Sequence, residues 1–284
     1  MHRVRVKRFL DTEQVQVYEK VGGREVKDDF CEHDYLYTKT KRKNKHLSEN
    51  PFNENKYEWM TDVNDNDKAD SIRASRSRTV NKIYDIARAN TWEWFVTLTF
   101  NPDLVDSFNY SAVVKKLSLW LNNMRKKCPD MKYIVVPEKH KSGRWHFHGL
   151  FSSIDNMDFV DSGKTDNGKV IYNLGNYKLG WSTATKIEDT KRASSYMCKY
   201  ITKDLCSVTM GKKRYWASRN VNLPEIIDYD VEMKYEDIIA CCDIGNSHMK
   251  TNEGYLTVTN IDVPIYSTNM CLWNRLVRNT HRQK

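Results

Sequence analysis

An α+β fold, a mostly antiparallel sheet with helices against it, is what three stretches of this chain predict. Trp92 to Phe100 alternates cleanly, with Trp94, Val96, Leu98 and Phe100 on one face and Phe95, Thr97 and Thr99 on the other. Tyr110 to Lys126 places Val113, Leu117, Trp120, Leu121 and Met124 at helical spacing. Tyr133-Ile-Val-Val-Pro137 is a β-branched strand followed by the turn cluster Lys141-Ser-Gly143 and a second apolar strand through Phe151, which makes a hairpin. Strands and helices interleave in βαββαβ-like units with that hairpin at the centre.

The remaining elements follow in chain order. Residues 1 to 20 show weak strand alternation (Val4, Val6, Val15, Val17) closed by Val21-Gly-Gly23, either a hairpin on the main sheet or an arm. From Tyr37 to about Asp70 the chain turns polar, with the basic run Lys39 to Lys45 and a tract rich in Asn and Asp. Such a run is a solvated loop or a DNA-contacting arm, and its low hydrophobicity speaks against a core of its own. Ser71 to Asn90 reads as a helix with Val80, Ile83, Tyr84 and Ala87 on one side and a basic face that is either solvated or turned to phosphate. Asn101-Pro102-Asp103 stops the first strand, and Cys128-Pro129-Asp130 ends the second helix.

Asp155 to Gly168 reads as a loop containing Ser162-Gly163-Lys164-Thr165. A phosphate-binding P-loop needs a glycine where this chain has Asp158, so no nucleotide cofactor is expected there. A strand at Gly180 to Ile187 and a helix from Asp189 to about Asp204 come next. Lys212 to Arg219 mixes basic and aromatic groups, which reads either as a DNA surface through Lys213, Arg214, Trp216 and Arg219, or as a strand beside a lysine-rich turn. Glu225 to Glu236 is acidic and unlike a DNA surface. The expected organisation is 1–68 as N-terminal strands and a polar linker or arm, 69–222 as the main domain, and 223–284 as an extension without an assigned role.

Composition narrows the partner. Lys and Arg number 46 against 37 Asp and Glu, a net charge of +9, which suits a polyanion better than an acidic protein or a neutral metabolite. Seven cysteines with no Cys-x-x-Cys pair indicate neither a disulfide framework nor a zinc ribbon. No apolar run reaches membrane-spanning length, and the basic start Met1 to Arg8 lacks an apolar segment behind it, so a cytoplasmic protein without a membrane partner is expected.

The candidate site lies in Glu138-Lys-His-Lys-Ser-Gly-Arg-Trp-His146-Phe-His148. Alternation on a strand points His146 and His148 the same way and Phe147 into the core, and the hairpin brings Glu138 within reach of both. Two imidazoles and a carboxylate suit a divalent ion that keeps water or phosphate oxygens in its remaining positions, and Mg2+ or Mn2+ fits this set better than a soft metal. His140 is an alternative or supplement to Glu138. The plain alternative is a pair of hydrogen-bonded histidines that bind nothing. A second stretch, Tyr196-Met-Cys-Lys199-Tyr200-Ile-Thr-Lys203, would place both phenols and both ammoniums on one helical face.

Together these stretches resemble the HUH endonucleases, named for paired metal-binding histidines around a hydrophobic residue. His146-Phe147-His148 is similar to that motif, Glu138 stands eight positions earlier where many members carry a third ligand, and Tyr196-x-x-Lys199-Tyr200 looks like the nucleophile motif. Two tyrosines four apart are similar to the rolling-circle replication initiators of small single-stranded DNA phages, and Phe95 to Asn101 resembles their first motif. The resemblance covers about residues 90 to 205. It implies a ferredoxin-like (RRM-like) core with the histidines on a central strand. It also implies a nickase that attacks single-stranded origin DNA through Tyr196 or Tyr200, leaving a 5′-phosphotyrosine and a free 3′-hydroxyl primer, with Lys199 and Lys203 assisting. Arg144 and Arg192 would join the DNA contacts. The origin would be melted or in a hairpin, and strand separation and synthesis would fall to a helicase and polymerase of a bacterial host or partner. Relaxases and transposases share such a core, but relaxases usually carry the tyrosine before the histidines, and transposases more often have one. A non-catalytic origin- or RNA-binding module is the alternative outside enzymes.

Overall fold

The computed structural model describes residues 2–20, 65–231, 234, 237–238, 248–252 and 256–264. The basic run at 39–45 and the glycines closing the first strands lie outside them. The chain divides into two compact units, one of residues 31–222 and one that combines 1–30 with 223–284.

The unit built from the two ends is a five-stranded sheet. Strands β1 (His2–Arg8), β2 (Thr12–Lys20), β10 (Glu225–Val231), β11 (His248–Asn252) and β12 (Leu256–Pro264) are ordered β10-β1-β2-β12-β11. Val4, Val6, Val15 and Val17 are buried, as their alternation predicts. The N-terminal hairpin therefore belongs to this sheet. Charge explains the pairing of β1 with β10: Arg5 Nε lies 2.7 Å from Asp228 Oδ1, and Arg8 lies 3.3 Å from Glu225. The basic start of the chain and its acidic segment are opposite strands of one ladder.

The central unit holds helix α1 (Asp65–Arg88), strand β3 (Trp94–Phe100), helix α2 (Tyr110–Lys127), strands β4 (Lys132–Lys139), β5 (Trp145–Ser152), β6 (Phe159–Asp166), β7 (Lys169–Leu174) and β8 (Gly180–Lys186), helices α3 (Thr190–Cys198) and α4 (Lys203–Val208), and the short strand β9 (Trp216–Ala217). Its seven strands are ordered β6-β7-β8-β3-β5-β4-β9. β5 lies between β3 and β4 and antiparallel to both, so β3, α2 and β4 form a split βαβ unit with the histidine strand inserted at its middle. This is the antiparallel α+β core the periodicity predicts. Where a βαββαβ pattern calls for a helix between β5 and β8, the chain instead runs through the β6–β7 hairpin.

That hairpin corrects the loop expected at 155–168. Its turn is Asn167-Gly168, both residues with positive φ (48° and 79°), the geometry that matches strand twist across a two-residue connection. Ser162 to Thr165 thus sits on a strand edge, with no following helix to receive a phosphate. Helix α1 starts six residues earlier than the apolar spacing suggests.

The β3 face carrying Trp94, Val96, Leu98 and Phe100 is buried, and α2 contributes Val113, Leu117, Trp120, Leu121 and Met124 to the same core. Asn109 caps α2 by accepting from the backbone N–H groups of Ser111 and Ala112. Phe147 and Phe151 of β5 are fully buried, Phe147 edge-on to Phe100 and Phe151 edge-on to Trp120. Burial of each such ring stabilises by about 1.5–3 kcal/mol. Since alternation is strict, anchoring Phe147 and Phe151 here turns His146 and His148 to the opposite face.

Candidate active site

On that opposite face the register aligns the predicted site in two rows. Thr99, His146 and Glu138 are direct partners across β3, β5 and β4, and Thr97 and His148 are partners in the next row. His148 Nε2 lies 2.7 Å from Glu138 Oε2. Each imidazole is held from its other side by a threonine of β3: Thr97 Oγ1 is 3.1 Å from His148 Nδ1, and Thr99 Oγ1 is 3.2 Å from His146 Nδ1. A ring held at Nδ1 presents Nε2 to its surroundings, the arrangement in which outer hydrogen bonds orient imidazole ligands. His140 lies beside His146, ring centroids 5.2 Å apart, with Nδ1 accepting from the Ser142 backbone N–H.

Burial lowers the pKa of both His146 and His148 from the usual histidine value. For His146 the neighbouring His140 and His148 add to this, and for both rings Glu138 opposes it. Neutral imidazoles beside a carboxylate fit a divalent ion in kind, and the threonine bonds at Nδ1 leave the nitrogens nearest Glu138 for it. In the structure Glu138 and His148 are bonded directly to each other. Among the described residues, no three His, Cys, Asp or Glu side chains converge closely enough to hold an ion.

The tyrosines face this pair. Tyr200 stacks flat on His148, ring centroids 3.9 Å apart and planes 9° from parallel. Tyr196 stands edge-on to Tyr200 at 5.4 Å and edge-on to Phe95 at 5.6 Å. Lys199 Nζ lies 5.0 Å from the Tyr196 ring centroid. Phe95 belongs to the same face as Thr97 and Thr99, so β3 supplies both the imidazole supports and the floor beneath Tyr196.

The expected single helix from Asp189 to Asp204 is two helices. α3 starts at the N-cap Asp189 and ends at Cys198, where backbone bonds tighten to three-residue spacing, as in Lys199 N–H to Tyr196 O and Ile201 N–H to Cys198 O. Thr202 then caps α4 by accepting from Leu205 N–H. Tyr200 is therefore on the tightened turn, and the two phenols meet at right angles instead of lying one above the other. Lys203 opens α4 and does not continue the α3 face; its side chain lies outside the described residues. Arg76 of α1 fixes the turn by donating to the Ile201 carbonyl at 2.8 Å.

Residues 93–205 match a family model of replication-associated proteins, the ORF2 type. The match runs from β3 through both histidines and both tyrosines and agrees with the resemblance read from the motifs. No curated protein and no solved structure gives a significant match. No helix among the described residues is long and apolar enough to cross a membrane.

Around this replication-associated segment, the residues expected to touch DNA separate into two groups. Arg144, Arg192, Lys213 and Arg219 are exposed. Arg144 lies over the Phe108 ring at 5.6 Å and Lys213 over Trp216 at 5.7 Å. Trp216 is a core residue, 6% exposed and edge-on to Phe147, so no base can stack on it. Arg214 is a structural clamp: its guanidinium donates to Thr209 Oγ1, Ser75 Oγ and the Cys206 carbonyl. Those bonds tie the segment before β9 to α1 and α4, which uses the donors a phosphate would need.

Sequence reading passed over Thr97, Thr99 and Phe95 as site residues. Their shared face was legible from alternation; their alignment with the histidines depends on a register between strands about fifty residues apart.

Proposed function

We propose that the protein is a replication initiator endonuclease that cuts single-stranded origin DNA by tyrosine attack. The observation that carries this reading is the packing of Tyr200 and Tyr196 against the His148–Glu138 pair, a nucleophile type set directly beside a candidate metal site. The replication-associated match over the same residues supports it.

Tyr196 makes the first cut. It is 43% exposed and has Lys199 above its ring, whereas burial and a hydrogen bond to Tyr196 push the Tyr200 phenol well above its usual pKa. The Tyr196 phenol gives its proton to solvent, with the Lys199 ammonium stabilising the phenolate. Its oxygen forms a bond to phosphorus as the bond from phosphorus to the 3′-oxygen breaks. That oxygen takes up a proton to become the 3′-hydroxyl primer, and the 5′-phosphate stays on the tyrosine. Attack by a 3′-hydroxyl on the phosphotyrosine reverses these steps and rejoins a strand without a nucleotide cofactor. Glu138, His146 and His148 would hold Mg2+ or Mn2+, which when bound draws charge from the phosphate's non-bridging oxygens. Tyr200, one tightened turn away, is the nucleophile for a second junction.

The test is incubation with a randomised single-stranded DNA pool and Mn2+, read as a denaturant-stable protein–DNA adduct. Wild type and Tyr200→Phe should form it, Tyr196→Phe should fall to background, and His146→Ala should bind without cutting, because phosphate contacts supply most affinity. Binding by wild type with no adduct under any divalent ion identifies a non-catalytic module and ends the nickase reading.

A further inference from the structure

Trp181 of β8 is 61% exposed, the most exposed of the large apolar side chains among the described residues. Its place in the ladder is informative. Trp181 is the direct partner of Thr99, Thr99 of His146, and His146 of Glu138, so one row across four strands reads Trp181, Thr99, His146, Glu138. Directly paired residues project from the same face, so the indole shares the face of the imidazoles, two strand spacings or about 9.6 Å from the His146 backbone. Thr183, next on that face of β8, is exposed too, while Phe95, Thr97 and Thr99 of β3 are part-buried. The face is thus covered at the tyrosine end and open at the tryptophan end.

A large ring left in water costs solvation that burial would remove, and alternation offers no structural reason for it: the neighbouring Ser182 and Ala184 are buried on the other face. We infer that Trp181 is a stacking platform for a base of the substrate strand next to the phosphate that is cut. This rests on the single-stranded DNA reading above and adds to it the element that sets where along the strand the scissile phosphate stops. With a base on the indole and the backbone crossing Thr99, the neighbouring phosphate comes to lie over His146 and Glu138, within reach of Tyr196. Single-strand binders combine such aromatic platforms with basic surface, and the chain's net charge of +9 supplies the latter.

The experiment measures affinity of the full chain for oligothymidylate and for a base-free deoxyribose-phosphate strand of equal length, in EDTA so that no cutting occurs. Trp181→Ala should weaken oligothymidylate binding about 5- to 100-fold and leave the base-free strand unchanged, with Trp181→Phe recovering most of the loss. Melting temperatures should match wild type because the ring is exposed. Equal affinity of Trp181→Ala and wild type for oligothymidylate, an equal loss on both strands, or a change confined to self-association in sedimentation overturns the assignment. A protein that shows the expected affinities yet forms no adduct in the nicking assay refutes the nickase and leaves the platform standing.

Discussion

Replacing Thr99 by Val should damage the proposed metal site more than replacing Thr97 by Val, although both remove the same kind of bond. Valine keeps the β-branched shape the strand favours and deletes only the hydroxyl. The lost contacts are alike, 3.2 Å to His146 and 3.1 Å to His148, so each variant should lose about 1 kcal/mol of stability, a melting shift of about 2–4 °C. The rings they release are not alike. His148 is 8% exposed, bonded to Glu138 at 2.7 Å and covered by Tyr200 at 3.9 Å, so it stays in place. His146 is part-buried, and its further ring contact is His140, on an exposed turn at 5.2 Å. Loss of an orienting partner typically costs 10- to 100-fold in metal affinity or activity. Thr99→Val should show that full loss and Thr97→Val less than about 10-fold, measured by Mn2+ titration and single-turnover nicking with melting as the control. The opposite order, or unchanged Mn2+ affinity in both variants at the expected melting shifts, would refute the claim that the threonines hold the imidazoles.

Trp216→Ala should cost about 3–5 kcal/mol in urea unfolding, because it empties a core position; a loss of DNA affinity at unchanged stability would contradict its burial. Arg214→Lys should destabilise by about 1–3 kcal/mol, since an ammonium cannot reproduce a fork reaching Thr209, Ser75 and Cys206, and its DNA affinity should stay near wild type. Gly149→Ala should cost about 1–3 kcal/mol by overpacking, its new Cβ standing 2.5 Å from Phe151 Cε2 and 2.9 Å from Val135 Cγ2; unaltered melting would mean both neighbours move freely. The folded-state pKa of His148 is lowered, so the unfolded chain binds the proton more readily. This contribution to stability is complete above the usual histidine value of about 6.5 and is lost as pH falls through the lowered folded value, and melting followed against pH should show the decline flattened in His148→Gln.

The two periods of the backbone made much of the central unit readable in one dimension. Alternation in β3 matches its buried Trp94, Val96, Leu98 and Phe100, the spacing in α2 matches its buried stripe, and the hairpin lies where Gly143 and the β-branched run place it. Local signals also marked features that a coarser reading missed: Asn167-Gly168 turns the β6–β7 hairpin, and Thr202 begins a new helix where one continuous helix was expected. Trp216 read as a surface aromatic because neighbours in sequence cannot reveal that β4 closes over it.

By itself the sequence determined that His146 and His148 share a face, since side-chain direction on a strand repeats every second residue whatever lies beside it. It also determined that Glu138 faces them, because a short hairpin leaves little freedom of register. Only the tertiary structure decided which groups complete the face: Thr97, Thr99 and Trp181 from strands far along the chain, and Tyr200 laid on His148 by a tightened turn that Arg76 holds from another helix. The same holds for the basic β1 and the acidic β10, whose pairing joins the two ends of the chain. Contacts between distant segments are selected by the burial and hydrogen bonding of the whole assembly, which no local pattern records.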